Sequence, residues 1–360
     1  VPITIYQSVE SLSEIMLKDA ISNDASDIHL IPRLHDYNIQ FRKTGVLSPF
    51  QSVPLEQGER LIAHLKFMAS MDIGEKRKPQ SGSFNMTIRN SPVSLRISTL
   101  PTNHLKESLV IRILPTKLHI SLEQMSLYPS SAKKLLALLM YSHGLIIFTG
   151  PTGSGKTTTL YSLVHHCSSA LNRNVITLED PIEKDHEDMV QIQVNEKAGI
   201  TYSTGLKAIL RHDPDIIMVG EIRDKETAEI AIRASLTGHL VLTTLHTKDA
   251  KSAVYRLMEL GIHWHDIQQT LIAVSAQRLL KLRCPVCDLD CKGECKGRGA
   301  VKRASVYEIV TGSALKEVIK EARGEEAYYQ YPTLRSLINK GVALGFVPEA
   351  EFRKWIHEET

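Results

Sequence analysis

The chain has 360 residues, enough for two or three domains rather than one. Hydrophobic residues make up 42% and charged residues 23%, which predicts a sizeable packed core in each domain and excludes a low-complexity or disordered chain. The net charge of +3, from 43 basic and 40 acidic residues, is too small to argue for nucleic acid, so no direct nucleic-acid binding is expected. No run approaches the roughly 18 apolar residues of a membrane-spanning helix. The opening VPITIYQSVE has no basic stretch followed by a long apolar core, so no signal peptide is expected.

Residues 8–24 place Val9, Leu12, Ile15, Met16 and Ile21 near a 3.6-residue period and predict a helix. DIHLIP (27–32) and YNIQFR (37–42) predict strands joined by a polar turn, and GVLSPF continues the sheet. A second amphipathic helix is expected over 55–70. GSFNMTI (82–88), PVSLRIST (92–99) and SLVIRIL (108–114) are three further strands. Helices and strands without regular alternation predict a small α+β domain over 1–115, followed by a linker at 116–125. Residues 126–360 have a different texture. SSAKKLLALLMYS reads as a helix. The apolar strands LIIFTG, NVITLED, PDIIMVGE and HLVLTTLH then alternate with a helix from Lys156 and with TGLKAILRHD, KETAEIAIRASL and AKSAVYRLMEL. Short unbroken apolar strands separated by helices predict an α/β domain, with a mostly parallel sheet covered on both faces. The remainder reads as mostly helical: GSALKEVIKEA, PTLRSLINKGVALG and PEAEFRKWIHE.

Gly150, Pro151, Thr152, Gly153, Ser154, Gly155, Lys156 and Thr157 fit G-x-x-x-x-G-K-[ST] between a predicted strand and a predicted helix, with Thr158 next in the first helical turn. The glycines let backbone N–H groups turn inward around phosphate oxygens, and the helix N-terminus adds positive potential. Lys156 is placed to reach the β and γ phosphates of ATP, and Thr157 to put its hydroxyl on Mg²⁺. In open parallel sheets ligands lie beyond the carboxyl ends of the strands. NVITLEDPIE ends in Glu179, Asp180 and Glu183, and DIIMVGEIRD ends in Glu221 and Asp224. One carboxylate, with Glu221 as candidate, is expected in the Mg²⁺ shell. Another is expected to orient or deprotonate the attacking water. The sequence leaves open which of Glu179 and Glu221 does which. Asp180 and Asp224 equally suit a helix N-cap. HLVLTTLHT is flanked by His239 and His246, and His246 is expected to donate a hydrogen bond to the γ-phosphate.

The segments ASDIHL, PQSGSF, LRISTLPT, GPTGSGKTTTLY, LEDPIE, LRHDPDIIMVGEIRD, AIRASLTGHLVLTTLHT and AVSAQRLL stand in the order seen in the secretion (traffic) ATPases. Over roughly residues 8–345 the chain resembles that family. The resemblance implies a RecA-like P-loop core, a smaller N-terminal domain on a flexible linker, a homohexameric ring, and ATP held between the two domains. It implies an aspartate box at Glu179, Asp180 and Glu183, a Walker B position at Glu221, and a histidine box at His239 and His246. Family arginines from the N-terminal domain complete the nucleotide site, and Arg42, Arg96 and Arg112 are the matching positions. The implied work is that of a cytoplasmic motor ATPase, peripheral on the cytoplasmic face of the cell membrane. It would act on an inner-membrane platform protein to assemble a pilus-like fibre. A short chain with a compact cysteine cluster is most similar to the family's competence branch, which builds the pseudopilus for DNA uptake. Type II secretion and pilus retraction are the alternatives. Behind them stand a DNA-translocating hexameric motor and a scaffold that binds nucleotide without turnover.

Four of the five cysteines, Cys284, Cys287, Cys291 and Cys295, fall close together, which suits a metal in a reducing cytosol better than disulfides. Four thiolates hold Zn²⁺ tetrahedrally in a closed structural site. Pro285, Gly293 and Gly297 permit the turns, and Lys281, Arg283, Lys292 and Lys296 offset the negative charge. Structural zinc is expected, with free thiols or an iron–sulfur cluster as alternatives. Cys167, in HHCSS, is expected to be a packed core thiol.

Overall fold

The computed structural model describes the chain apart from residues 1–7, 24, 44–45, 89–90, 103–105, 116–119, 184–185, 285–302 and 358–360. The chain divides into two compact units, residues 1–118 and 119–360.

The first unit runs α1 (Val9–Ser22), β1 (Asp27–Pro32), β2 (Asp36–Lys43), β3 (Val46–Pro54), α2 (Leu55–Met68), β4 (Gln80–Ile88), β5 (Ser91–Pro101) and β6 (Glu107–Pro115). Its strands form one sheet in the order β3-β2-β1-β6-β5-β4, with every neighbouring pair antiparallel. Strand alternation puts Ile28, Leu30, Ile39, Phe41, Leu95, Ile97, Leu109 and Ile111 on one face. There they pack with Leu12 and Met16 of α1 and with Leu61 and Leu65 of α2. The register sets Arg42 and Arg112 on either side of Asp27, and Arg96 opposite Arg112. Directly opposed residues of an antiparallel pair share a face, so these four side chains form one row on the face away from the helices.

The stretch 116–125, expected as a linker, contains a one-turn helix, α3 (Leu122–Met125), and Leu122 is buried in the second unit's core. The second unit continues with α4 (Pro129–Leu138), β7 (Gly144–Thr149), α5 (Lys156–Ser169), β8 (Val175–Glu179), β9 (Val190–Gln193), α6 (Tyr202–Ile209), β10 (Ile216–Val219), α7 (Lys225–Leu236) and β11 (Leu240–Leu245). After these come α8 (Ala250–Glu259), α9 (Trp264–Thr270), β12 (Leu271–Lys281), β13 (Arg303–Thr311), α10 (Gly312–Ala322), α11 (Leu334–Ala343) and α12 (Glu349–His357). The sheet order is β13-β12-β7-β11-β10-β8-β9, parallel throughout except for the antiparallel β12–β13 pair. β7 is buried on both faces: Leu145 and Ile147 join one core, and Ile146 and Phe148 the other.

Two features differ from the reading of the sequence. The chain after α8 was expected to be mostly helical, yet β12 and β13 extend the sheet there. Their apolar runs are broken by Ser275, Gln277, Arg278 and Glu308, all buried, and that polarity hides the strand pattern. β9 was also not anticipated. Among the described residues no helix is long and apolar enough to cross a membrane.

Candidate active site

β7 lies between β11 and β12, and the loop after Thr149 turns into α5. Thr149 pins this strand end. Its hydroxyl lies 3.0 Å from the Leu245 carbonyl oxygen and 2.7 Å from Thr247 Oγ1, and accepts the Thr247 N–H at 2.9 Å. Gly150 and Gly155 take φ of 142° and 89°, a region that favours glycine. Space demands glycine there as well: a methyl group would lie 2.6 Å from the Gln277 carbonyl oxygen at Gly150 and 2.9 Å from Gln277 Nε2 at Gly155. Lys156 Nζ donates to the carbonyls of Gly150 at 2.7 Å and Pro151 at 3.2 Å. Burial pushes the Lys156 pKa down, Glu221 opposes that fall, and the charge of Arg278 adds to it.

The loop borders a cavity of about 450 Å³ at the carboxyl ends of the parallel strands. Thr157, Glu179, Asp180, Glu183, Glu221 and His246 line it. Glu179 is almost fully buried, and both of its oxygens are engaged. Tyr161 donates its hydroxyl to Oε2, while Thr177 Oγ1 at 2.6 Å and Gln191 Nε2 at 3.2 Å donate to Oε1. Burial, and then the neighbouring Glu179 charge, push the Tyr161 pKa up, so the phenol stays a donor. Glu221 is more open. His246 Nε2 lies 3.3 Å from its Oε2, and Arg223 Nε donates to its Oε1 at 2.7 Å. Arg223 Nη1 also lies 3.6 Å from Asp180 Oδ2, so this guanidinium bridges two strand ends. Thr244 Oγ1 donates to the Gly220 carbonyl at 2.7 Å and fixes the turn that presents Glu221.

This donor set fits a nucleoside triphosphate with Mg²⁺. It offers a glycine turn at a helix N-terminus, a buried ammonium, the Thr157 hydroxyl and carboxylates along one wall. Thr152, Gly153, Gly155, Lys156, Thr157 and Thr158 join those carboxylates and His246 in lining the cavity, while Gly150, Pro151 and Ser154 complete the loop. Glu179 lines the cavity while accepting the hydrogen bonds from Tyr161, Thr177 and Gln191, two on Oε1 and one on Oε2. One expectation is corrected: His239 does not reach the cavity within this chain. Its Nδ1 lies 3.1 Å from the Ala234 carbonyl at the end of α7, at the other end of β11, about 20 Å away at the rise of a strand. Asp224 caps α7, accepting the Thr227 N–H at 2.8 Å. Arg42, Arg96 and Arg112 belong to the first unit, in the row around Asp27. Of the expected zinc ligands, Cys287, Cys291 and Cys295 lie outside the described residues. Among those described, no group of three or more His, Cys, Asp or Glu is arranged to hold a metal. Cys167 is buried, which pushes its thiol up to about 12.

Sequence reasoning missed Tyr161, Arg223, Gln277 and Arg278, and also Tyr202, which lines the cavity. Arg223 follows Glu221 by two positions in an extended segment, and that spacing was a usable signal. Gln277 and Arg278 stand as an adjacent polar pair inside AVSAQRLL, a second usable signal.

The family model described as type II/IV secretion system protein matches residues 5–354. The chain belongs to this family. Among members of the type II/IV secretion family, it is 53% identical over 353 residues to the competence protein ComGA of Bacillus subtilis (strain 168), covering 98% of this chain and 99% of that one. It is 43% identical over 352 residues to ComGA of Halalkalibacterium halodurans, covering 96% and 98%. The fold is similar to the crystal structure of the pilus retraction motor PilT with bound ADP, with a TM-score of 0.74 at 26% identity over 96% of each chain.

Proposed function

We infer that this protein is a motor ATPase that hydrolyses ATP to assemble a type IV pilus-like competence pseudopilus, the fibre used in DNA uptake. One observation carries the reading. A phosphate loop, strand-end carboxylates and a histidine converge on one cavity, in a chain 53% identical along nearly its whole length to a competence protein. The loop N–H groups and Lys156 hold the triphosphate. Thr157 and Glu221 are the residues to hold Mg²⁺, which supplies neutralisation of phosphate charge. Glu221 suits that place because it lines the same cavity as Lys156 and Thr157. Glu179, which ends β8 and lines the same cavity, is assigned to orient the attacking water. His246, held at Glu221, meets the γ-phosphate. Arg42, Arg96 and Arg112 keep their proposed role at the nucleotide on the family resemblance alone. So do the hexameric ring, the place on the cytoplasmic face of the cell membrane and the platform protein as partner. Zinc at the cysteine cluster rests on the sequence pattern alone and enters no step.

The test is ATP binding and turnover by the purified protein, with transformation of the native host by the same alleles. Lys156→Ala is expected to abolish binding and turnover. Glu179→Gln is expected to keep binding and slow turnover by about 10²–10⁴-fold. Unchanged turnover in that variant would move the base to Glu221. Loss of transformation by the Lys156→Ala strain, at unchanged protein level, supports the competence fibre. Normal transformation moves the work to secretion or to retraction, the activity named for PilT.

A further inference from the structure

Arg278 is a buried cation that the mechanism above does not use. It lies on β12 just past the level of Thr149, since Ala276 pairs with Thr149. Only 4% of it is exposed. Its guanidinium reaches the carbonyl of its own neighbour Gln277 and two other segments. Nη1 donates to the Gln277 carbonyl at 3.1 Å, the oxygen that leaves no room for a side chain at Gly150. Nη2 donates to the Lys248 carbonyl at 2.7 Å, two residues beyond His246. Its central carbon lies 5.0 Å from the centroid of the Trp355 indole in α12.

A second buried charge grips the same region from the other side. Glu308 of β13 accepts the Ala250 N–H at 3.1 Å and the Leu334 N–H at 2.6 Å, so one carboxylate caps both α8 and α11. The segment from His246 to Ala250 is therefore fixed at Thr247 by Thr149, at Lys248 by Arg278 and at Ala250 by Glu308. Two of those three anchors continue into the C-terminal helices. Buried charges such as these are costly unless fully paired, and their best-attested use is to specify one arrangement over its alternatives. Arg278 keeps these contacts only while the His246 segment and Trp355 hold their present relation to β12.

We propose that Arg278 is a positioning residue that ties the His246 segment to the C-terminal helix α12 through its contact with Trp355, while holding the Gln277 carbonyl against which Gly150 of the phosphate loop closes. Movement of the loop around a triphosphate is then felt at α12, and displacement of α12 loosens His246 from Glu221. The inference rests on the nucleotide reading of the cavity.

Trp264 and Trp355 are the two tryptophans in the chain, so Trp264→Phe leaves Trp355 as the sole indole reporter. Its emission is expected to change when Mg²⁺ and a non-hydrolysable ATP analogue are added to the full-length protein. Arg278→Lys keeps the charge but loses the planar fork and the stack. It is expected to lower kcat about tenfold with KM for ATP moved less than about threefold, because binding groups stay while His246 is misplaced. Trp355→Ala is expected to lower kcat in the same way, and Trp355→Phe, which keeps a ring to stack on, to restore most of it. Thermal melts of each variant separate misfolding from mispositioning. Emission of Trp355 indifferent to bound nucleotide, or wild-type kcat in folded Trp355→Ala, overturns the inference. Binding of a fluorescent ATP analogue is read separately. If the wild-type protein binds none, the nucleotide reading falls and takes this inference with it. If it binds and Trp355 does not respond, only the inference falls.

Discussion

Asp27 sits between two guanidinium groups on the helix-free face of the first unit's sheet. Its Oδ1 accepts Arg112 Nε at 2.9 Å, and its Oδ2 lies 4.0 Å from Arg42 Nε. Burial on its own would raise its pKa. Hydrogen bonds from Arg112 and Ser26 outweigh burial and hold the carboxyl below its ordinary value of 3.8. A carboxylate with a lower pKa folded than unfolded adds stability above the unfolded value and loses it as pH falls through the folded one. Arg112 is largely exposed, so the pair is screened. Asp27→Asn is expected to cost about 1 kcal/mol at neutral pH, and progressively less below pH 3.8. Denaturant melts at neutral and at acid pH check this, and an equal cost at both would remove the ionic account. The same row marks a limit of sequence reading. Arg42, Arg96 and Arg112 were visible as three separate candidates in FRKTG, LRIST and VIRIL. That Arg42 and Arg112 flank one aspartate, with Arg96 next in the row beyond Arg112, follows from strand register, which no local spacing encodes.

Among the elements, α7 was the most legible. KETAEIAIRASL coincides with Lys225–Leu236, because the helical period, the acidic first turn and the cap at Asp224 agree. Asp224→Ala is expected to cost about 1 kcal/mol, seen as a lower melting temperature with KM for ATP unchanged. A change in KM would mean that Asp224 serves the nucleotide as well as the helix. The phosphate loop was equally legible, since its glycines, lysine and threonine act through neighbouring backbone. β12 and β13 were not. Gln277 finds Ser305 Oγ at 3.0 Å on the partner strand, and Glu308 finds the N-termini of two helices. These partners arrive only with the tertiary fold, so the polar letters read as interruptions. Glu179 was legible as a strand-end carboxylate, but its partners Tyr161, Thr177 and Gln191 were not, because they meet it only in the fold.

The two units keep separate cores. One apolar cluster is built wholly from the first unit, and two others, one on each face of the parallel sheet, are built wholly from the second. The nucleotide cavity is likewise lined by second-unit residues. Residues 119–360 expressed alone are therefore expected to fold and to bind a fluorescent ATP analogue, as read by anisotropy and a nucleotide-dependent rise in melting temperature. A folded fragment with no affinity would place an indispensable contact in residues 1–118. The strand order also sets a timetable. β7 lies inside the sheet, between β12 and β11, but early in the second unit, and Thr149 meets Leu245 across 96 residues of chain. At a synthesis rate of roughly 5–20 residues per second, the nascent phosphate loop waits about 5–20 s for its first sheet neighbour. Through that interval Leu145, Ile146, Ile147 and Phe148 have no strand beside them. A ribosome carrying this half-made motor thus presents an apolar segment to chaperones and proteases before any nucleotide has a place to bind.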